Sequence, residues 1–122
     1  MSDVDELVDR YISAWNETDT DRRAEVIREV WTEEGTYTDP LAQARGHAAI
    51  DGVISAVQAQ FAGHRFKLLK TAESHHNLAR FSWELVPASG GESIVIGTDV
   101  AVIADDGRFA GVGGFLDKVP AA

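Results

Sequence analysis

Cysteine is absent from the 122 residues, which excludes a disulfide framework, a thiolate nucleophile and a cysteine-based metal site. Basic side chains are scarce: 11 Lys and Arg stand against 20 Asp and Glu, for a net charge of -9. That is the wrong sign for neutralising phosphates, so neither nucleic acid nor an anionic membrane is an expected partner. No segment approaches the ~18 consecutive apolar residues of a membrane span, and no basic region followed by an apolar stretch opens the chain. A mature protein beginning near Met1 and residing in the cytoplasm is the expectation. Glycine-rich phosphate loops are missing, and Ser13, Ser55 and Ser82 sit in no nucleophile-elbow pattern. His47, His64, His75 and His76 show no metal-ligand spacing, so neither a metal nor a cofactor is expected.

What is present fits one domain spanning 1–122, long enough to bury about two-thirds of its unfolded surface around one core and one enclosed pocket. The acidic charge is concentrated at the front. Met1 to Asp39 holds 12 acids and 4 bases, whereas the remainder holds 8 and 7, consistent with solvated helix faces. Val4, Leu7, Val8, Tyr11, Ile12 and Trp15 recur at three- and four-residue steps, the pattern of a helix with one buried stripe. Thr20 or Asp19 can cap a second helix from about Asp21 to Trp31, with Val26, Ile27, Val30 and Trp31 as its apolar positions. Residues 35–39 read as a short strand stopped by Pro40, and Ile50, Val53, Ile54, Val57 and Phe61 mark a third helix closed by Gly63.

Four strand-like segments follow, His64 to Ala72, Leu78 to Val86, Glu92 to Ala104 and Arg108 to Lys118, with connections short enough for antiparallel hairpins. The expected fold is therefore α+β, a curved antiparallel sheet wrapped around three helices with a pocket between them. Gly111, Gly113 and Gly114 interrupt the last strand, where a bend is favoured over close approach of another group. Strands that are apolar on both faces, such as Ile94 to Ile103, leave one sheet face for a partner, so a homodimer is expected.

Asp99 breaks that apolar run, and on either face its neighbours are apolar. A carboxyl there holds its proton to higher pH than a free one, although a buried structural carboxyl satisfied by local donors accounts for the same pattern. Asp39 ends the first strand just before Pro40, where it either faces an opening or starts a turn. Tyr11 lies on the buried stripe, so its hydroxyl needs a partner. Trp15, Trp31, Tyr37, Ile54, Trp83 and Phe115 are the candidate apolar lining of a pocket for a small apolar molecule, or else ordinary core.

The element order, together with the stretches Arg10 to Asn16, Thr36 to Pro40 and Gly46 to Ile50, resembles the nuclear transport factor 2-like superfamily, and within it the SnoaL-like proteins and bacterial ketosteroid isomerase. The resemblance implies a cone-shaped sheet closed by three helices, often dimeric through its outer face. It also implies a site in which Asp39 is a general base while Tyr11 and a protonated Asp99 stabilise an enolate oxygen. Val53 and Ile54 stand where steroid isomerases can place a supporting tyrosine. Cofactor-free isomerisation or polyketide-type cyclisation of an apolar carbonyl compound is the expected activity. A non-catalytic binding domain and a hydrolase or dehydratase of the same fold are the alternatives, since fold does not choose among them.

Overall fold

Local sequence and helix structure agree closely at the N-terminus of the computed structural model, which describes residues 3–120. Helix α1 (Asp3–Asn16) buries Leu7, Val8, Tyr11, Ala14 and Trp15, the expected stripe, and carries Asp3, Asp5 and Glu6 in its first turn, where the helix dipole favours negative charge. Helix α2 (Thr20–Val30) is capped by Asp19, whose carboxyl accepts the Arg22 backbone N–H at 3.0 Å. It ends one residue earlier than its apolar pattern suggests. Trp31 turns to extended geometry and opens strand β1 (Trp31–Thr38).

A short strand β2 (Gln43–Arg45), unanticipated in the loop before Gly46, folds back antiparallel on β1. Helix α3 (His47–Gln60) follows, then β3 (His64–Leu68), β4 (Glu73–His75), β5 (Leu78–Pro87), β6 (Val95–Ile103) and β7 (Phe109–Lys118). β4 covers part of the segment expected to be a turn. Among the described residues this makes three helices and one seven-stranded sheet in the order β2-β1-β7-β6-β5-β3, with β4 paired to β5.

The α+β arrangement of a curved sheet on three helices holds, with one departure: β1 runs parallel to β7, so the sheet is mixed rather than wholly antiparallel. Hairpins dictate antiparallel neighbours only between consecutive strands, whereas β1 meets β7 across the whole intervening chain. This pairing is what brings the end of β1 close to the middle of β6, with a single strand between them.

The core fills the space between helices and sheet, with Tyr11, Ile27, Trp31, Ile50, Ile54, Phe81 and Phe109 almost wholly buried. Polar anchors join the helices. Arg23, 4% exposed, donates to Asp51 Oδ1 at 2.6 Å and to Gln58 Oε1 at 2.8 Å, tying α2 to α3. The Gln58 amide in turn donates to the Trp15 and Glu17 carbonyls left open at the end of α1. Asn16 exchanges two hydrogen bonds with the backbone of Phe66, which pins α1 to β3. Among the described residues, no helix is long and apolar enough to cross a membrane, and no cluster of His, Asp and Glu could hold a metal ion.

Candidate active site

Strand alternation on β6 points Gly97, Asp99 and Ala101 to the concave face, beneath α1. Asp99 is 1% exposed and lies in register between Phe81 on β5 and Gly114 on β7. Its Oδ2 accepts the Tyr11 hydroxyl at 2.6 Å, whereas Oδ1 is buried with no hydrogen-bond partner among the described residues. Tyr11 itself is enclosed by rings, with Trp31, Phe81 and Phe109 at centroid distances of 5.3, 5.1 and 5.8 Å. Burial pushes Asp99 up from 3.8 to about 6, against the opposing pull of the Tyr11 hydroxyl and the Trp83 indole and with a smaller push from Asp39. The same burial, reinforced by the Asp99 charge, drives the Tyr11 phenol well above its ordinary value, so it stays a donor.

The hydrogen-bond pattern fixes where a proton on Asp99 sits. With Oδ2 occupied as an acceptor of the tyrosine's single proton, the acid proton belongs on Oδ1, the oxygen without a partner. Tyr11 therefore stands behind Asp99 with its own proton already committed, and below about pH 6 the proton of Asp99 is carried on the oxygen that Tyr11 does not occupy.

Asp39 follows the last residue of β1. Its Oδ1 accepts the backbone N–H groups of Leu41 and Ala42, both at 2.8 Å, and its own N–H donates to the Ala42 carbonyl, a turn set up by Pro40. Its Oδ2 accepts the Tyr37 hydroxyl at 2.7 Å. Both readings of Asp39 from sequence are thus realised at once, since it forms a turn and also lines the cavity.

Gly114 explains how the two aspartates come so near. A Cβ at this position would stand 2.7 Å from Asp99 Oδ1 and 3.6 Å from the Cβ of Asp39, so any side chain on β7 here would occupy the gap between them. The bend expected from the glycine cluster is not the reason at this position; close approach of the Asp99 carboxyl is. Gly97 has a similar role, because a Cβ there would fall within the Trp83 ring, which lies flat across β6 to wall the cavity.

The cavity has a volume of about 470 Å³. Trp15, Tyr37, Phe61, Phe66, Trp83 and Leu116 supply much of its wall, Asp39 and Asp99 its acidic groups, and Leu41, Val119 and Pro120 also line it. Among the described residues, no lysine, arginine or histidine lines it. Of the residues expected in the lining, Trp15, Tyr37 and Trp83 are there, together with Tyr11, Asp39 and Asp99.

Three expected lining residues lie elsewhere. Trp31 is fully buried below the Tyr11 ring, because it begins β1 rather than ending α2. Ile54 is equally buried in the core under α3. Phe115 is 64% exposed, on the convex side of β7, because the strand's alternation turns Gly114 and Leu116 inward and the residue between them outward. Leu116 was thus missed where Phe115 was expected, and the parity of Val112 is the signal that distinguishes them. Phe66, also unanticipated, alternates with Arg65 and Lys67 and packs on Trp83 at 5.2 Å.

Comparison with known proteins agrees with this architecture. A family model described as a SnoaL-like domain matches residues 8–112. The chain belongs to the SnoaL-like family. A solved structure of a candidate isomerase of this family from Agrobacterium tumefaciens shares 38% identity and superimposes with a TM-score of 0.89, covering 96% of this chain and 99% of that one. A candidate polyketide cyclase from Sinorhizobium meliloti shares 22% identity with a TM-score of 0.70, over 93% of this chain and 99% of that one. A cystatin-like fold from Nostoc punctiforme matches at 13% identity and TM-score 0.70, over 94% of this chain and 89% of that one. The last two carry the fold alone. No protein of curated function matches the sequence. In this member of the SnoaL-like family, Asp39 and Asp99 line one largely apolar cavity.

Proposed function

We propose that this SnoaL-like protein is a cofactor-free acid/base enzyme that enolises an uncharged, apolar carbonyl compound and completes either an isomerisation or an aldol-type cyclisation. The observation that carries the proposal is the pairing across Gly114 of an anchored carboxyl that accepts three hydrogen bonds with a buried carboxyl whose one free oxygen lacks a partner.

In this reading Asp39 works as the carboxylate. It takes the proton from the carbon next to the substrate carbonyl, the C–H electron pair becomes the enolate double bond, and the carbonyl oxygen takes up the negative charge. Asp99, which holds its proton on Oδ1 below about pH 6, donates a hydrogen bond to that oxygen, with Tyr11 behind it. The charge inside the cavity is conserved, because Asp39 becomes neutral as the enolate forms. Asp39 then returns the proton to a distant carbon of the conjugated system, completing an isomerisation. Alternatively the enolate carbon attacks a second carbonyl of the same molecule, and the new alkoxide takes the proton from Asp39. A substrate that already carries a carboxylate or phosphate would meet two acids and no cation, so an uncharged ketone or ester fits the lining.

The test is turnover of a panel of small β,γ-unsaturated cyclic ketones, followed by the absorbance of the conjugated product. Asp39→Asn is expected to lower the rate by roughly 10²- to 10⁴-fold. Asp99→Asn should cost less, since an amide still donates a hydrogen bond. Equal losses in the two variants contradict the assignment. Tight binding of phenolic enolate mimics without turnover of any ketone would make the protein a binding domain instead.

A further inference from the structure

A general base needs more than a carboxylate in the right cavity. The carboxyl of aspartate turns easily about its Cβ–Cγ bond, a soft torsion with broad minima, so a single anchor leaves the basic lone pair swinging. In this site one anchor is the turn, which holds Oδ1 through the Leu41 and Ala42 N–H groups. Both are backbone donors, and with two hydrogen bonds accepted the lone pairs of Oδ1 are already taken.

The second anchor comes from two residues upstream. Tyr37 lies on the same strand face as Asp39, is 4% exposed, and donates its hydroxyl to Oδ2 at 2.7 Å. Its ring packs on Trp15 at 5.1 Å, which fixes the position of the hydroxyl independently of the carboxyl it serves. Resting on the reading of Asp39 as the base, we infer that Tyr37 is its positioning residue: the turn clamps Oδ1, the phenol clamps Oδ2, and the remaining lone pair of Oδ2 is the one that receives the substrate proton. Tyr37 is then more than the apolar wall that its burial suggests.

The arrangement mirrors the Tyr11–Asp99 pair, so each aspartate of the cavity has its own buried tyrosine at Oδ2. The two phenols differ in consequence. Tyr11 leaves Oδ1 of Asp99 as the group facing the ligand, whereas Tyr37 shares the working oxygen of Asp39 with the ligand. Desolvation, the Asp99 charge and the hydrogen bond to Asp39 all raise the Tyr37 phenol above its ordinary value, so it remains a donor throughout the working pH range. Transfer of a proton to Oδ2 then occurs at an atom already held, which is the geometric condition for a near-attack arrangement.

Tyr37→Phe removes the hydroxyl and keeps the ring, and two measurements on it separate this inference from the activity reading. The first needs no substrate. A high-resolution crystal structure of ligand-free Tyr37→Phe should show the Asp39 carboxyl in more than one orientation about Cβ–Cγ, with the backbone turn at residues 39–42 in place. A carboxyl that keeps its single wild-type orientation overturns the inference. The second uses whichever β,γ-unsaturated cyclic ketone the wild-type protein turns over. There kcat should fall by roughly ten- to a hundredfold while KM stays within about twofold, because the ring still lines the cavity and only the aim of the base is lost. An unchanged kcat, or a loss confined to KM, also overturns it. Should the wild-type protein turn over no such ketone, the catalytic reading of Asp39 fails, and the first measurement alone decides whether Tyr37 holds the carboxyl.

Discussion

The Asp99 carboxyl couples the fold to pH in a direction opposite to that of most acids. Its value rises from 3.8 to about 6 through burial, a difference that corresponds to about 3 kcal/mol between the two protonation states. Between about pH 4 and 6 the folded chain keeps a proton that the unfolded chain has released, so stability falls as pH rises. The contribution is fully present below the unfolded value and is lost as the pH climbs through about 6. From pH 4.5 to 7.5 the loss amounts to about 2 kcal/mol. Asp99→Asn is neutral at every pH and still accepts the Tyr11 hydroxyl, so it lacks this loss. Glu33, Glu73 and Asp106 run the other way, since hydrogen bonds from Arg108, Arg80 and Arg108 respectively hold them low. They are common to both proteins and cancel in the difference. Urea unfolding followed by tryptophan fluorescence at one protein concentration, at several pH values across this interval, yields wild-type minus variant stability. That difference should fall by about 2 kcal/mol as the pH rises. A flat difference curve, or one that rises with pH, would refute the reasoning that Asp99 is held neutral by desolvation.

Gly114→Ala should push the Asp99 carboxyl off Tyr11, since its Cβ would stand 2.7 Å from Oδ1. A cost of about 1 to 3 kcal/mol in unfolding free energy, together with loss of binding to phenolic mimics, is expected; wild-type stability with unchanged binding would contradict it. We also propose that two copies pair through the convex sheet face, where Leu78, Val100, Val102 and Phe115 are exposed side by side on β5, β6 and β7. Light scattering should then give a dimer mass at micromolar concentration and a monomer for Val100→Lys combined with Phe115→Ser. A monomeric wild-type protein sinks the proposal.

Some of this architecture was legible because local and global requirements coincide. The α1 stripe of Leu7, Val8, Tyr11 and Trp15 is the face that packs on the sheet, and period alone reveals it. Asp99 was legible for a related reason: a carboxyl inside a strand apolar on both faces is buried whichever way the strand turns. Trp31 was not, because an apolar residue four beyond Ile27 fits a helix as well as it fits the first position of a strand, and the backbone changes course at that residue. Phe115 was not, because Gly113 and Gly114 just before it carry no side chain to show which face of the strand it takes.

The meaning of Gly114 depends on something no single segment holds. Its neighbour β1 is separated from β7 by most of the chain and pairs with it in parallel, so no hairpin links the two in the sequence. Only when β1, β7 and β6 lie side by side does one missing side chain become the gap that brings a turn-anchored carboxyl next to a buried one. The individual acids are thus properties of local sequence, whereas their proximity is a property of the long-range pairing, and the proposed chemistry requires both.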